Sequence, residues 1–388
     1  MLAAAFAGAV VRGYRSQGVD VTAKHLCAQG ETTGGVNASA ARIGPRELRE
    51  IHLPAVRACV EAGAASFMAA YNEIDGVYCH ANPWLLRNLL REEYGFTGIV
   101  MSDGVAIDQL DAVTGDRTAS GALALASGVD LGLWDSAFGH LEEAVERGLV
   151  SSARIDEAAA RVLELKFRRG LFEEPYIPEE GRWQGYTPET HPQVKRLAEE
   201  SVVLLKNSGR LLPLDGKKRL RVLLTGPGAD DLYGQLGDYT PPVRPGGGIT
   251  VRQGLERWIQ THESPVELSC RSGCLRFGQS SADLAEAAWA AGEADVVLAV
   301  LGGTSSRFGG GAFQSNGALA DQEEITMDCG ENVDAGLLRL PGTQLELLRR
   351  LKAAGKPVVT VLIGGRPYEM AEAASLAAAI LCAFSPGL

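Results

Sequence analysis

The sequence predicts an α/β protein of two domains, the first with the element order of a parallel barrel and the second with that of an open, doubly wound sandwich. Three observations carry this prediction. The chain has 388 residues, which exceeds the usual size of a single domain. Short β-rich runs alternate with helical stretches through both halves. A stretch without periodicity, rich in Pro, Gly, Glu and aromatic residues, separates the two halves.

In the first half, runs predicted as strands end in or are followed by polar residues, and helical patterns separate them. The strands are 19–25, 65–71, 98–103 and 129–133, and the helices are 45–62, 83–94, 119–126 and 151–170. A TIM barrel forms its active site at the carboxyl ends of its strands, so polar residues at these positions favour a TIM-like barrel. A complete barrel needs roughly 250 residues and eight strands. Residues 1–170 therefore predict only the C-terminal part of one, without its first strands.

Residues 171–192 are predicted to be a linker, which leaves 193–388 as the second domain. Strands alternate with helices there in the order of a doubly wound α/β sandwich. The strands are 221–225, 266–269, 294–301, 357–363 and 377–383, and the helices are 251–261, 281–291, 342–354 and 367–374.

Composition and charge restrict the class of partner. Apolar residues make up 46% of the chain, enough for large cores, and the formal net charge is -11. This charge argues against a nucleic-acid or membrane surface, because either needs a basic patch. No apolar run approaches the ~20 residues of a membrane span. Residues 1–12 are better interpreted as an amphipathic helix than as a signal sequence, since they lack a basic start. We therefore expect a neutral substrate.

The cysteines and glycine turns predict neither a metal nor a cofactor. Seven cysteines, an odd number spread along the chain, are typical of free buried thiols. Cys270 and Cys274 are close in sequence, but no His or second Cys pair accompanies them at a zinc-like spacing. Gly226 and Gly228 follow a strand, yet no phosphate-binding fingerprint surrounds them and Pro227 removes one amide. A simple turn explains them.

Asp103 is the most informative single residue, because an apolar strand ends there at a carboxylate. Lys24 and His25 end a second apolar run in the same way. If both strands belong to one barrel, Asp103 is a buried acid in a polar pocket. A helix N-cap is the other interpretation of an Asp after a strand, and the pattern alone does not choose between them.

A set of short motifs, in order along nearly the whole chain, resembles glycoside hydrolase family 3, of the β-glucosidase and β-xylosidase type. Each motif is weak alone and the set is specific. The motifs are 22–25 (TAKH), 46–50 (RELRE) with 53–54 (LP), 68–76 (MAAYNEIDG), 79–86 (CHANPWLL), 98–103 (GIVMSD), 200–207 (ESVVLLKN), 212–214 (LPL), 355–359 (GKPVV) and 365–367 (GRP). The resemblance implies a TIM-like barrel followed by an α/β sandwich, which agrees with the element order.

The resemblance also implies a retaining mechanism on a β-linked glycoside, with Asp103 as the nucleophile. Glu331 is the matching general acid and base, in the segment 328–334 (DCGENVD) that follows a second-domain strand. Asp321, Glu323, Glu324 and Asp328 compete with Glu331 in this acidic region, where a solvated loop is the simpler interpretation. Sugar-binding roles carry over to Lys24, His25, Met68, Tyr71 and Arg42. For Met68 core packing, and for Arg42 a surface salt bridge, are alternatives.

The sequence departs from the family pattern in three places. Gly104 stands where many members have a Trp that stacks on the second sugar, so we expect a more open leaving-group side, or a wall formed by another side chain such as Phe308 or Trp134. Ala335 stands where the family usually has Arg. The family barrel begins well upstream of residue 1, with an Asp and an Arg of the sugar pocket, and relatives continue past Leu388. The sequence thus predicts either a fragment or a barrel wall supplied elsewhere.

The predicted function is a retaining exo-acting β-glycosidase, most simply a β-glucosidase, needing no cofactor or metal. A β-xylosidase of the same family is the first alternative. A branch that uses a His as acid is disfavoured because residues 26–45 contain no His. An alternative of another class is a non-catalytic carbohydrate-binding fragment. A homo-oligomer is compatible with the sequence.

Overall fold

The computed structural model describes residues 1–176, 191–278, 281–310, 312–313, 319–320, 326–331, 333 and 335–387. The chain divides into two compact units. Unit 1 comprises Met1–Trp183 and Phe313–Ala318, and unit 2 comprises Gln184–Ala312 and Leu319–Leu388. Most of the predicted linker, 171–192, lies outside the described residues, so the predicted domain limits stay predictions.

Unit 1 contains a parallel sheet of three strands in the order β1-β2-β5. Val100 of β5 pairs with Phe67 of β2, and Phe67 with Ala23 of β1. A small antiparallel hairpin, β3-β4, follows β2. The strands are β1 Thr22–Leu26, β2 Ser66–Ala69, β3 Glu73–Ile74, β4 Val77–Tyr78 and β5 Ile99–Met101. Since β1, β2 and β5 run the same way, their carboxyl ends lie at one edge of the sheet.

The strand predicted at 129–133 is reduced to one bridge, in which Leu131 pairs with Met101. Its backbone still joins β5, because the N–H of Asp130 donates to the carbonyl of Val100 at 2.7 Å. The side chain of Asp130 forms ion pairs with three arginines, and the chain turns away from β5 after the bridge. The sheet thus continues past β5 as a short contact and not as a full strand.

The helices of unit 1 begin and end at recognisable signals. Ser151 caps the helix over 152–168 by accepting the N–H of Arg154, and Gly63, with φ 87°, ends the helix over 53–62 in the left-handed conformation that suits glycine. The helix predicted at the N-terminus is confirmed. The α-helices are α1 Leu2–Ser16, α2 Pro45–Glu47, α3 Leu53–Ala62, α4 Asp111–Thr114, α5 Arg117–Ser127, α6 Leu141–Glu146 and α7 Ser152–Arg168, and the π-helical segments are Leu48–His52 and Trp84–Glu93.

A buried aspartate, Asp130, joins several elements of unit 1. The Asp130 side chain is 0% exposed and is paired with Arg91 at 2.6 Å, Arg154 at 2.8 Å and Arg161 at 2.7 Å. Its Oδ2 also accepts the N–H of Val100 at 2.9 Å. A buried charge is tolerated only when it is paired and hydrogen-bonded, and here both carboxylate oxygens are. Asp130 therefore ties β5 to α7 and to the helical segment over 84–93.

Unit 2 is a mixed sheet of six strands in the order β6-β11-β10-β9-β7-β8, with β6 antiparallel to β11 and the other neighbours parallel. The strand β6 was not predicted, although its residues lie in one of the quoted motifs. The strands are β6 Val203–Asn207, β7 Arg221–Thr225, β8 Glu267–Arg271, β9 Val296–Leu301, β10 Val358–Ile363 and β11 Ala379–Phe384, and the helices are α8 Pro192–Ser201, α9 Val251–Thr261, α10 Ser281–Glu293, α11 Gln344–Ala353 and α12 Ala371–Leu376.

The strand order of unit 2 reverses between β7 and β9, as in a doubly wound sheet. The chain runs outward from β7 to β8, then returns to the other side of β7 and continues through β9, β10 and β11. The prediction of a doubly wound sandwich is confirmed. Gly302 ends β9, and a Cβ there would lie 1.9 Å from the carbonyl oxygen of Ile363, so only glycine fits. The loop with Glu331 begins at this crevice, where such folds bind ligands.

Among the described residues, no helix combines the length and the apolar character that crossing a bilayer requires.

We predict that Asp130→Asn destabilises the chain by about 3 kcal/mol or more, because three partly or fully buried guanidinium groups would lose their counter-charge. Urea unfolding followed by circular dichroism measures this change. Glu164→Gln is the matched control, since it removes an exposed ion pair with Arg168, and such pairs contribute little. Equal stabilities for the two variants would show that the Asp130 cluster does not hold unit 1 together.

Candidate active site

Asp103 lies just past the carboxyl end of β5, and both its backbone and its side chain are fixed. Its N–H donates to Nε2 of His80 at 3.1 Å, and its Oδ1 accepts the N–H of Gly104 at 2.8 Å. The side chain is 13% exposed. The second oxygen, Oδ2, is buried and has no hydrogen bond of standard geometry with the described residues. Oδ1 is therefore anchored by a backbone amide, while Oδ2 faces the His25 ring.

Groups that favour a carboxylate surround Asp103. Nε2 of His25 lies 3.3 Å from Oδ2, and Lys24 precedes His25 on β1. Burial raises the pKa of Asp103, and the Gly104 N–H, the positive charge of Lys24 and the Tyr71 hydroxyl oppose this rise without cancelling it. The carboxyl group is thus partly removed from water but remains beside donors and a cation that stabilise its ionised form.

Tyr71 is connected to Asp103 through Gly104. It follows β2, is 2% exposed, and donates from its hydroxyl to the carbonyl oxygen of Gly104 at 2.7 Å. Met68 is 8% exposed and pairs in register with Met101, and strand alternation places it on the face opposite Phe67. Arg42 is exposed. The structure therefore brings His25 and Tyr71 to Asp103, whereas sugar-binding roles for Met68 and Arg42 stay predictions.

His80 belongs to this site, although only the motif around it stood out in the sequence. It is 1% exposed and lies on the 3-10 turn Cys79–Ala81. Burial first, and then the positive charge of His25, lower the pKa of His80 to about 3. The ring is therefore neutral near pH 7, and since Nε2 accepts the Asp103 N–H, Nδ1 carries the proton. Its partner is a backbone amide 23 residues away, which no spacing rule reveals.

In unit 2, the side chain of Glu331 is 18% exposed and contacts Tyr239 and Arg307. It accepts a hydrogen bond from the Tyr239 hydroxyl, and Nη2 of Arg307 lies 3.7 Å from its Oε2. Arg307 also pairs with Asp238 at 2.5 Å and lies over the Tyr239 ring, 4.1 Å from its centre. Glu331 is thus held in a defined position. A structural ion-pair cluster is the other interpretation of these contacts.

The rival carboxylates of the same loop differ in what the structure says of them. Asp321, Glu323 and Glu324 lie outside the described residues, as does Asp334. Asp328 has both oxygens occupied, since Oδ1 accepts the N–H of Thr304 at 2.8 Å and Oδ2 accepts the Tyr368 hydroxyl at 2.6 Å. Asp328 therefore holds the loop against the end of β9 and is a weaker candidate for an acid than Glu331.

The cysteines are free thiols, and burial raises the pKa of Cys274 to about 11, which keeps that thiol protonated at neutral pH. Within the described part of the chain, no group of three or more His, Cys, Asp or Glu side chains is placed to hold a metal ion.

Comparison with known proteins agrees with the motifs. Residues 1–165 match the family model for the glycosyl hydrolase family 3 N terminal domain, and residues 202–388 match that for the C-terminal domain. A beta-xylosidase from Formosa agariphila is 32% identical over 373 residues, which cover 91% of this chain and 48% of that protein. A periplasmic beta-glucosidase from Salmonella typhimurium is 29% identical over 396 residues, covering 94% and 48%.

Solved structures show the same relationship. The beta-glucosidase from Listeria innocua in complex with isofagomine superposes with a TM-score of 0.84 at 29% identity, over 98% of this chain and 51% of that one. A b-glucosidase from Erythrobacter marinus gives a TM-score of 0.83 at 31% identity. The chain spans about half the length of the relatives it matches. The predicted fold class and family resemblance are confirmed, and the chain belongs to glycoside hydrolase family 3.

Proposed function

We propose that this chain carries the two catalytic carboxylates of a retaining, exo-acting β-glycoside hydrolase, most simply a β-glucosidase. The observation that supports this most is Asp103, a largely buried carboxylate whose Oδ1 is anchored by the Gly104 N–H and whose Oδ2 lies 3.3 Å from Nε2 of His25. A helix cap uses its carboxylate to bind backbone amides of the first turn. Among the described residues, the amide that donates to the Asp103 carboxylate is that of the next residue, Gly104, and not one of a first helical turn, so the N-cap interpretation explains less.

In the proposed reaction, Oδ2 of Asp103 attacks the anomeric carbon as the bond from that carbon to the leaving oxygen breaks. Glu331 gives its proton to the leaving oxygen. Water then attacks the same carbon, Glu331 takes a proton from it, and Asp103 is released unchanged. A retaining mechanism of this kind requires the two carboxyl groups to be about 5 Å apart in the working site.

The surroundings of Asp103 suit sugar recognition. Lys24 and His25 would donate hydrogen bonds to hydroxyl groups of the bound sugar, and charged donors at a partly buried site bind such groups strongly. Tyr71 fixes the carbonyl of Gly104 and so the backbone next to the nucleophile. Met68 and Arg42 are proposed to line the same subsite.

His80 supports the assignment of Asp103 because it orients the nucleophile without adding charge. A protonated His80 could not accept the Asp103 N–H, and its charge would repel that of His25. With His80 neutral, the cationic or protonatable groups near Asp103 in the described part of the chain include Lys24 and His25. Reactivity of the carboxylate then depends on the balance between burial and these two side chains.

A β-xylosidase is the second candidate, and the relative from Formosa agariphila, 32% identical, favours it. Relatives include exo-alpha-(1->6)-L-arabinopyranosidases as well. Glucosides and xylosides differ in the C6 hydroxymethyl group, so the ratio of kcat/KM on the two aryl glycosides distinguishes the candidates. A non-catalytic carbohydrate-binding fragment would bind sugar without turning over either substrate.

We predict that Asp103→Asn lowers turnover of an activated aryl β-glucoside or β-xyloside by roughly 10⁴-fold or more, because the neutral amide of Asn is a far weaker nucleophile than a carboxylate. Incubation with a 2-deoxy-2-fluoro glycoside bearing a good leaving group should add the fluorosugar mass to the peptide containing Asp103. Asp156→Asn, at an exposed position of α7, is the control and should leave rate and labelling unchanged. Sugar binding with neither turnover nor labelling would establish the non-catalytic alternative instead.

For Glu331→Ala, we expect a loss that depends on the leaving group: large for phenyl or alkyl glycosides, which need protonation, and small for 2,4-dinitrophenyl glycosides. Azide should restore the second step and yield a glycosyl azide. Steady-state rates and product identification by mass spectrometry measure both effects. Asp328→Asn is the comparison variant. If the leaving-group dependence and azide rescue appeared there and not at Glu331, the acid would be reassigned.

Because His80 is buried and neutral, we expect the free energy of unfolding of the chain to depend on pH. Its pKa is about 3 in the folded chain and near 6.5 when unfolded. Between these values the unfolded chain binds a proton that the folded chain excludes, so stability falls as pH decreases, by about 1.4 kcal/mol per pH unit for one site. Urea unfolding from pH 7 to 4.5 should show a shallower decline for His80→Gln than for the wild type. His140→Gln, at an exposed position, is the control. Parallel curves of unfolding free energy against pH for the wild type and His80→Gln would rule out a buried neutral imidazole.

A further inference from the structure

Trp134 is the most unusual side chain beside the nucleophile. It is 69% exposed, and its φ of 62° lies in the left-handed region, which bulky residues rarely occupy. Exposure removes the stabilisation that burying an indole provides, and the backbone conformation adds strain of about 1 kcal/mol or more. The fold therefore maintains a costly arrangement at a position where neither core packing nor a turn requires Trp.

Hydrogen bonds on both sides of Trp134 hold it next to Asp103. The N–H of Leu133 donates to Oγ of Ser102 at 2.7 Å and to Oδ2 of Asp135 at 3.0 Å. The carbonyl of Leu133 accepts the N–H of Val105 at 2.9 Å. Ser102 precedes the nucleophile in sequence and Val105 follows it by two residues. The loop that carries Trp134 is thus fastened to the segment that carries Asp103, before and after that residue.

Asp135 completes this attachment from the other side of Trp134. Its Oδ2 accepts the Ser102 hydroxyl at 2.5 Å, and its Oδ1 accepts the N–H of Ile107 at 2.7 Å. These hydrogen bonds of the partly buried Asp135 carboxylate hold the loop in one position. The position of the indole is therefore set by the same network that sets the backbone on both sides of Asp103.

The indole is also in direct contact with Gly104. A Cβ added to Gly104 would lie 3.1 Å from Cε3 and 3.2 Å from Cζ3 of Trp134, which is closer than ordinary van der Waals contact. The missing side chain at position 104 is what allows the ring to approach the backbone immediately after the nucleophile. One edge of the ring is supported by Gly104 while most of the residue remains exposed to solvent.

We propose that Trp134 is the platform for the leaving group, binding the flat apolar face of the ring attached to the scissile bond, whether an aryl group or a second pyranose. This inference rests on the proposed glycosidase function. A rigid, exposed aromatic face offers contact area at low entropic cost, and it suits ligands that present a flat face of C–H bonds or a π system. An exo-acting enzyme encloses the sugar that reacts and leaves the departing group toward solvent, so we assign this solvent-exposed face beside Gly104 to the leaving group and not to the sugar that reacts with Asp103.

The test compares substrates that share one sugar and differ in the leaving group. A β-glycosyl fluoride has no ring to stack, a 4-nitrophenyl β-glycoside has an aryl ring, and a β-linked disaccharide has a pyranose. For Trp134→Ala we expect the kcat/KM ratios of aryl glycoside to fluoride and of disaccharide to fluoride to fall by roughly 10-fold or more. Trp134→Phe should restore most of the loss. Trp289→Ala, which removes an equally exposed Trp of α10 (69%), should change neither ratio.

A double-mutant cycle with Gly104 tests the contact itself. Gly104→Ala in the wild type should lower the same ratios, because its methyl group displaces the indole. In the Trp134→Ala background, Gly104→Ala should have little further effect on them, so the two changes are non-additive. Full additivity would show that Gly104 acts on substrate selectivity by another route, and would count against the platform.

Binding separates failure of this inference from failure of the proposed function. Titration calorimetry with phenyl and methyl 1-thio-β-glycosides, which are not hydrolysed, should show tighter binding of the phenyl compound, and Trp134→Ala should remove the difference. Turnover with unchanged ratios in Trp134→Ala, or a preserved phenyl preference, would refute the platform but not the glycosidase. Absence of both turnover and thioglycoside binding in the wild type would overturn both.

Discussion

The parallel pairing of β1, β2 and β5 is the constraint on which the candidate site in unit 1 depends. Residues that are distant in sequence reach one edge of the sheet because the three strands run in the same direction and in a fixed register. His25 arrives from β1, Tyr71 from just after β2 and Asp103 from just after β5. A one-residue slip of β5 would turn Asp103 to the opposite face and separate it from His25. Precision at the site therefore begins with backbone hydrogen bonds.

Two buried polar contacts fix β5 beyond its pairing with β2. Asp130 is hydrogen-bonded to both backbone groups of Val100. The N–H of Asp130 donates to the Val100 carbonyl, and the Asp130 carboxylate accepts the Val100 N–H. Asp103 lies three residues after Val100, and its N–H donates to His80. The strand cannot move along its axis without breaking one of these contacts inside the protein, where an unpaired polar group costs about 1–3 kcal/mol. Stability of the arginine cluster and alignment of the carboxylate are thus linked through one short strand.

Much of this arrangement could be predicted because it is local. Apolar runs and capping residues predicted β7 and α9 with their observed limits and most other elements to within a few residues, and the family motifs predicted Asp103 and its His25 neighbour. The contacts that could not be predicted are long-range. The pairing of β6 with β11 joins segments about 170 residues apart in an antiparallel edge that the alternation of strands and helices does not suggest. The bond from Asp103 to His80 uses a backbone amide, which has no residue-specific signature.

Gly104 shows how far a departure from a family pattern can be interpreted from sequence. The sequence left two interpretations of a glycine after Asp103, an open leaving-group side or a wall formed by another side chain such as Phe308 or Trp134, and it did not choose between them. In the structure the space is taken by Trp134, which comes from a loop about 30 residues further along the chain and is held there by Ser102 and Asp135. The hydrogen bonds that hold this loop join it to Ser102, before Asp103, and to Val105 and Ile107, after it. Whatever fixes Asp103 therefore fixes the indole as well, so that the group proposed to attack and the surface proposed to bind the departing ring move as one body.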